Sequence, residues 1–547
     1  MNSISRKYSG AAPLPRRLYT VVLLGATMSV AVSEVLRAQP AANEPGEAVE
    51  FCLGPNLFVD DYLIAESTGL TRTMHPPEKV LDPVIHYDLP MLYMTVLYDP
   101  DLGRYRMWYN CSRRHRNEGN GHNYTTGYAY AESKDGIKWQ LPQLGLVAFP
   151  GEKDNSLTKY PTTHPYSNNF FDAPLGHFAL FFVDDGPECP EPSRRYKMAY
   201  FKSGKTKGTG ENGMRVAFSA DGMHFKDYGG NPVLPQYEKD GSNVISDAIE
   251  GCWDPLKNQY IAGCKIWGTG YPGKVRNGPE AGWRRVAGIT TSKDFIHWEK
   301  PKIVLTPNRN EGLEEFNMLK VKVVGNLYLG FLRVLRDDLA ATPGMPVGGT
   351  GTTELASSRD GLSWVRHPGK FIDRSPIEGR WDHAMAYYAD SITVGDKEYI
   401  YYSGYAEGHK TFYDRKVGMA LLRKNGYVSR DTASAGGMLK TPLAKLPGDY
   451  FTVNANVGEE LRVRLVTAQG QTVPGFDWAD YVPIRGDSVS HRVEWRDSPE
   501  LPRDELVSIE FSLKGPTELY GFDFAQVGPA KHPTALKPVT ENTLPKE

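Results

Sequence analysis

The chain has 547 residues, too many for one ordinary core, and it is 40% hydrophobic and 23% charged with a formal net charge of −2. This composition excludes general disorder, and the charge balance lacks the basic excess of a nucleic-acid binder. The 55 glycines, 40 prolines and 31 tyrosines suit many short strands joined by turns.

Residues 1–38 have the layout of an export signal. Arg6, Lys7, Arg16 and Arg17 precede the apolar run LYTVVLLGATMSVAV (18–32), followed by small residues and a polar stretch. Cleavage fits after Ser33 or after Ala38; an uncleaved anchor is the alternative, although the run is short for a bilayer span. The mature chain is expected to be secreted or periplasmic and free of the membrane. Five scattered cysteines (52, 111, 189, 252, 264) make no disulfide scaffold and no CxxC metal spacing, so neither metal nor cofactor is expected. Cys252 and Cys264 flank a hairpin, as a bridge or as two buried thiols.

From residue 133 a seven-residue string recurs: SKDGIKW (133–139), SADGMHF (219–225), SKDFIHW (292–298), SRDGLSW (358–364) and a worn RKNGYVS from Arg423. An alternating run precedes each copy and a short run follows, which is a hairpin signal: Ser and Asp bond the turn's own backbone, and Gly tolerates positive φ. The closing aromatic is an apolar plug for a neighbouring sheet. The string resembles the Asp-box of sialidase propellers, one residue shorter between Asp and Gly, and its expected role is structural. Further strand pairs precede each copy, such as MLYMTVLYD (91–99) with RYRMWYN (104–110), giving about four strands per period. Four-stranded units repeated radially are propeller blades. The expected architecture is all-β: a five-bladed β-propeller over 45–430, a β-sandwich over 431–528 and a loose tail over 529–547.

In such a fold the leading ends of the inner strands converge on a central channel, the default place for a ligand pocket. Acids stand before or at each inner strand: Asp88, Asp172, Asp247 with Glu250, Glu314 with Glu315, and Asp382 next to His383. Any one loop acid is more often solvated than functional; five blades each carrying one is the signal. Glycosidic cleavage needs one carboxyl with a raised pKa to protonate the leaving oxygen and another kept ionised as nucleophile or base. Trp267, Tyr271, Trp283 and Trp381 lie near the same loops as candidate sugar platforms. The basic loop CSRRHRNEGNGHN (111–123) brings Arg113 and Arg114 as candidate contacts for an anionic glycan.

Five blades, acids at the inner strands, a trailing sandwich and an export signal together resemble the superfamily of family 32 and family 43 glycoside hydrolases (invertase/levanase and arabinanase/xylosidase). The stretches LFVDDYLIA (57–65), YRMWY (105–109), RRYKMAY (194–200), SKDFIHWEKP and WDHAMAY are similar to exported bacterial proteins described as family-32-like and common in planctomycetes. Carried over by position, the resemblance implies Asp88 as nucleophile or base, Asp172 as modulator and Glu250 as general acid, with Asp247 its rival. Glu315 and Asp382 form an alternative working pair. The chain departs from the family in having no NDPNG, no RDP and only an approximate Glu-Cys motif at Glu250-Gly251-Cys252. The expected function is glycoside hydrolysis of a poly- or oligosaccharide. The alternatives are a carbohydrate-binding propeller without catalysis and, further off, a sialidase-like enzyme, which would need an arginine triad and a Tyr nucleophile.

Overall fold

The computed structural model describes residues 47–85, 90–115, 123–147, 171–174, 178–202, 211–275, 278–309, 312–409, 415–497 and 499–527. The expected export signal (1–38), Asp88 and the expected tail from 529 therefore lie outside the described residues. Among those described there is no α-helix; the one helical element is a 3₁₀ turn at Pro192–Arg194, and the rest of the regular structure is strand.

Five antiparallel meanders follow one another. The first joins Pro90–Asp99, Arg104–His115 and Asn123–Ser133. The second is built on Phe178–Asp184, Tyr196–Lys202 and Gly213–Ser219. The third runs Ile249–Asp254, Gln259–Gly268, Arg284–Ser292, Lys302–Leu305. The fourth runs Glu315–Val324, Leu327–Arg336, Thr350–Ser358, Val365–Ile372. The fifth takes Met385–Val394, Lys397–Tyr405 and Arg415–Arg423, and its outer strand is Glu78–Lys79, from far upstream. One parallel pair, Gly351↔Met385, links the fourth and fifth.

The repeated string forms one turn four times. Asp135 Oδ1 accepts from the backbone N–H of Ile137 and Lys138, both at 2.8 Å, and Ser133 Oγ accepts from Gly136 N–H at 2.9 Å. The Asp-to-backbone bonds recur at Asp221, Asp294 and Asp360. Gly136, Gly222 and Gly361 have φ of 72–74°, and Phe295 adopts φ 68° at the same place without glycine's freedom. Its ring has a reason to stay: it packs on Phe181 and Phe218 of the second meander.

Each turn docks on the preceding meander. Trp108 of the first donates to Gly222 O at 2.8 Å, Lys257 of the third reaches Asp360 O, and Tyr401 of the fifth donates to Gly136 O at 2.6 Å. The last contact joins the first meander to the fifth, and one apolar cluster there contains Met94, Met107, Tyr401 and Val417. The order of contact is thus cyclic.

The remaining strands make a nine-stranded sheet whose centre is Tyr450–Thr467. That strand pairs Thr517–Ala525 along its first half and Val507–Lys514 along its second, with an irregularity between Val457 and Leu461. The core beneath holds Phe451, Val463, Trp495, Phe511 and Phe522. Gly54–Leu57, Glu66–Thr68 and Leu70–Met74 belong to this sheet, not to the meanders, and so does Val428–Thr432. Among the described residues the earliest strands thus pair with the last, across the expected division at 430/431. Arg430 fastens this junction through Asp61 at 2.7 Å and the carbonyls of Phe58 and Asp60.

The Cys252–Cys264 bridge does not form. Cys264 pairs Ile249 and Cys252 pairs Ile261 in the hairpin, and all five cysteines are free thiols.

Candidate functional site

The inner strands of the third and fourth meanders gather a charged cluster at their leading ends. Asp247 stands two residues before Ile249–Asp254, and Lys265 of the neighbouring strand pairs with its carboxylate. Arg285 of the third strand spans the gap to the fourth meander: its Nη1 lies 2.5 Å from Glu315 Oε2 and 3.6 Å from Asp337 Oδ2. The Arg285 backbone N–H also donates to Glu315 at 3.3 Å. His409 Nδ1 completes the chain at 2.6 Å from Asp337 Oδ1. Deeper in, Glu250 faces Arg333 at 2.5 Å, and Arg333 Nε donates to Tyr388 O at 2.8 Å. Tyr93 links the two levels: its hydroxyl donates to Asp247 O at 3.0 Å, and the Arg333 guanidinium lies over its ring at 5.8 Å.

Exposure sorts these acids. The Glu250 and Glu315 side chains are 0% exposed and Asp337 2%, while Asp247 is 37% exposed and reaches solvent. Asp337 and Asp338 line a cavity of about 490 Å³ together with Lys274, Val275, Leu313, Pro346 and Val347. That volume lies in the range of small-molecule pockets.

Burial would lift the Asp247 carboxyl, but the adjacent Lys265 ammonium, with Arg285 and the Ser246 hydroxyl, outweighs it and holds the pKa down at about 2. Burial dominates at Glu250: against Arg333 and Lys320 it pushes the pKa up to about 7. Glu315 is also raised by burial, with Arg285 opposing. Lys265 is lowered by burial despite Asp247. At neutral pH the cluster therefore holds one ionised carboxylate near one buried carboxyl that is about half protonated.

Asp247, Glu250 and Glu315 are thus brought together. The other described acids fall elsewhere. Asp172 is exposed and its backbone is stitched to the second repeat turn, donating to Met223 O at 3.0 Å and accepting from Phe225 N–H at 2.8 Å. It forms an isolated bridge with His224 of that turn, beside the buried Phe171 and six residues before the strand Phe178–Asp184. Asp382 binds Lys79 at 2.7 Å and the Tyr402 hydroxyl at 3.1 Å, apart from the cluster. Glu314 pairs with Arg366 at 3.0 Å. His383 is buried with both ring nitrogens engaged, by Ser375 O at 2.9 Å and Thr342 Oγ1 at 3.0 Å, so it braces a loop. Trp381 stacks on Tyr402 at 5.4 Å over the bare backbones of Gly404 and Gly418, as packing.

Trp267 does sit at the cluster, with Lys265 5.5 Å and Arg285 5.0 Å from its ring. Trp283 is half-buried at the head of the next strand, its carbonyl accepting from Arg284. Arg113 and Arg114 lie in the strand Arg104–His115, and their side chains are outside the described residues.

The sequence reading missed Lys265, Arg285, Arg333, Asp337, His409 and Tyr93. A signal existed for the first three: each is a cation inside an apolar strand (YIAGCKIW, RRVAGITTS, YLGFLRVL), where it must find an acid or stay unburied. These arginines are committed to Glu315 and Glu250, which leaves neither free for the carboxylate clamp of a sialidase-like site. Among the described residues no group of three or more His, Cys, Asp or Glu side chains is arranged to hold a metal ion.

No protein-family model and no curated protein matches the chain. Solved structures do. One described as a glycoside hydrolase is 15% identical with a TM-score of 0.43, covering 64% of this chain and 92% of its own. A family 32 β-fructofuranosidase from Bombyx mori is 12% identical with a TM-score of 0.37, covering 81% and 94%. A glycosyl hydrolase from Bacteroides ovatus is 16% identical with a TM-score of 0.37, covering 70% and 96%. Likeness at this level assigns neither activity nor substrate.

Proposed function

We propose that the protein is an exported glycoside hydrolase: a five-bladed β-propeller with a β-sandwich, cleaving O-glycosidic bonds of a poly- or oligosaccharide at the Asp247/Glu250 cluster. The cyclic contact of the meanders supports the propeller, and the change of partners along Tyr450–Thr467 supports the sandwich. One observation carries the chemistry. Two carboxyls three residues apart are pushed in opposite directions, Asp247 down to about 2 and Glu250 up to about 7. Divergent pairs of this kind mark acid and base assignments. Asp247, which reaches solvent, acts as nucleophile or as base for water; Glu250 supplies the proton to the leaving oxygen, and Lys265 keeps Asp247 ionised. An anionic glycan, held by Arg113 and Arg114, is part of the same reading, and a glycan array with sulfated chains tests it.

The deciding assay is release of reducing ends from a glycan panel by the wild type, Asp247→Asn and Glu250→Gln. Each variant should lose about 100-fold or more in rate. Full activity in either variant would remove that residue's role.

A second reading, a carbohydrate-binding propeller without catalysis, is favoured by the complete burial of the Glu250–Arg333 pair. Under it the wild type releases no reducing ends from any glycan, yet glycans retard it in affinity gels.

A further inference from the structure

Away from the charged cluster, the fourth and fifth meanders enclose a second cavity of about 350 Å³, walled by residues 76–81 and 371–382 and floored by Tyr402. Asp382 lines it with a side chain only 3% exposed. Its Oδ2 is fully served, by Lys79 at 2.7 Å and the Tyr402 hydroxyl at 3.1 Å. Its Oδ1 is buried and has no hydrogen-bond partner among the described residues. A buried carboxylate oxygen without a donor is costly, so its persistence in a lined cavity points to a donor brought from outside.

The lining narrows what that donor is. Lys79, Arg374 and Arg380 stand against a metal or an ammonium group, and the carboxylates of Asp373 and Asp382 stand against an anion. The walls are aliphatic: Pro76, Val80, Leu81, Ile372, Pro376 and Ile377. Leu81 and Ile377 are 69% and 60% exposed, so apolar surface continues to the mouth. A neutral ring bearing vicinal hydroxyls meets every condition. One hydroxyl donates to Asp382 Oδ1, its neighbour accepts from the Lys79 ammonium, and the C–H face lies on the prolines and aliphatic side chains.

We infer that this cavity is a second, non-catalytic binding site for a neutral monosaccharide unit, built by Asp382 and Lys79 and separate from the Asp247 cluster. It does not depend on the hydrolase reading: a chain that cleaves nothing would still bind sugar here.

The test is ligand-observed NMR on the full chain with glucose, galactose and arabinose as probes and inorganic sulfate as competitor. Wild type and Asp247→Asn should bind one of these sugars equally. Ile377→Trp, which fills the mouth from an exposed position and does not disturb the core, should bind it at least tenfold more weakly, and so should Asp382→Asn. The inference is overturned if no sugar binds, if Ile377→Trp binds as wild type does, if Asp247→Asn abolishes binding, or if sulfate displaces the sugar. Loss of glycan cleavage in Asp247→Asn with sugar binding intact separates the two sites.

Discussion

Glu250 and Arg333 face each other at 2.5 Å with neither side chain exposed at all. A buried pair of this kind stabilises little by itself, yet removing one partner strands the other charge. Arg333→Met should therefore cost about 3–5 kcal/mol at pH 8. Much of that loss should return by pH 5, where Glu250 takes up a proton. The sign follows from burial, which raises the Glu250 pKa from 4.5 to about 7. Its favourable contribution is complete below 4.5 and is lost as pH rises through about 7. In the wild type this withdraws on the order of 3 kcal/mol across that window. Glu250→Gln should flatten the corresponding slope of stability against pH, read by chemical denaturation at pH 5, 6, 7 and 8; an unchanged slope would show that Glu250 does not titrate in this window.

The third and fourth meanders meet through backbone. A Cβ at Gly263 would run into the Leu319 carbonyl oxygen on the inner strand of the fourth meander. Gly263→Ala must push the two sheets apart and should cost about 3 kcal/mol, the upper end for overpacking. Because Glu250 pairs Gly263 directly, the same change should also shift the pH response of the cluster. Gly229→Ala, where a Cβ meets nothing, is the control.

The repeat turns should behave as structure alone. Asp360 Oδ1 accepts from Leu362 and Ser363 N–H, and these bonds with the Ser358 and Ser363 hydroxyls outweigh burial to hold its pKa at about 2. Asp360→Ala leaves those donors to water and frees a turn that docks on the third meander. A loss of about 1–2 kcal/mol in denaturation is expected. Glycan binding and cleavage should be unchanged; a change in either would give the repeat a functional part.

How much of this was legible depended on how local the determinants were. Ser133, Asp135, Gly136 and Trp139 bond within seven residues, so the string itself announced the turn, and the turn marked the hairpins. The destination of residues 54–74 was not legible, because a short alternating strand carries no mark of its partner, and here the partners lie more than 350 residues away. Position before an inner strand found Asp247 and Glu315 but also Asp382, whose direction is set by Gly404 and Gly418 making room for Trp381. The cations Lys265, Arg285 and Arg333 were visible as misfits in apolar strands, yet which acid each would meet is a property of the assembled ring.

The last prediction concerns Lys265, the group that separates Asp247 from the other acids. Lys265 is buried at 7% exposure beside Trp267, while Asp247 stands 37% exposed, so the ammonium approaches the carboxylate from the protein side and solvent from the other. That ammonium is the largest influence holding the Asp247 pKa down. The contribution of Asp247 to stability is present above the ordinary carboxylate pKa near 3.8 and is lost as pH falls through about 2. Lys265→Met retains the apolar stem and removes the charge. The Asp247 pKa should then rise, since the largest opposition to burial is gone. Carbon-detected NMR titration of the Asp247 carboxyl reads this directly. Under the proposed mechanism the acid limb of the glycan-cleavage profile should move upward with it, while the limb near 7 ascribed to Glu250 stays in place. An acid limb unmoved by Lys265→Met would mean that Asp247 is not the ionised partner in the reaction.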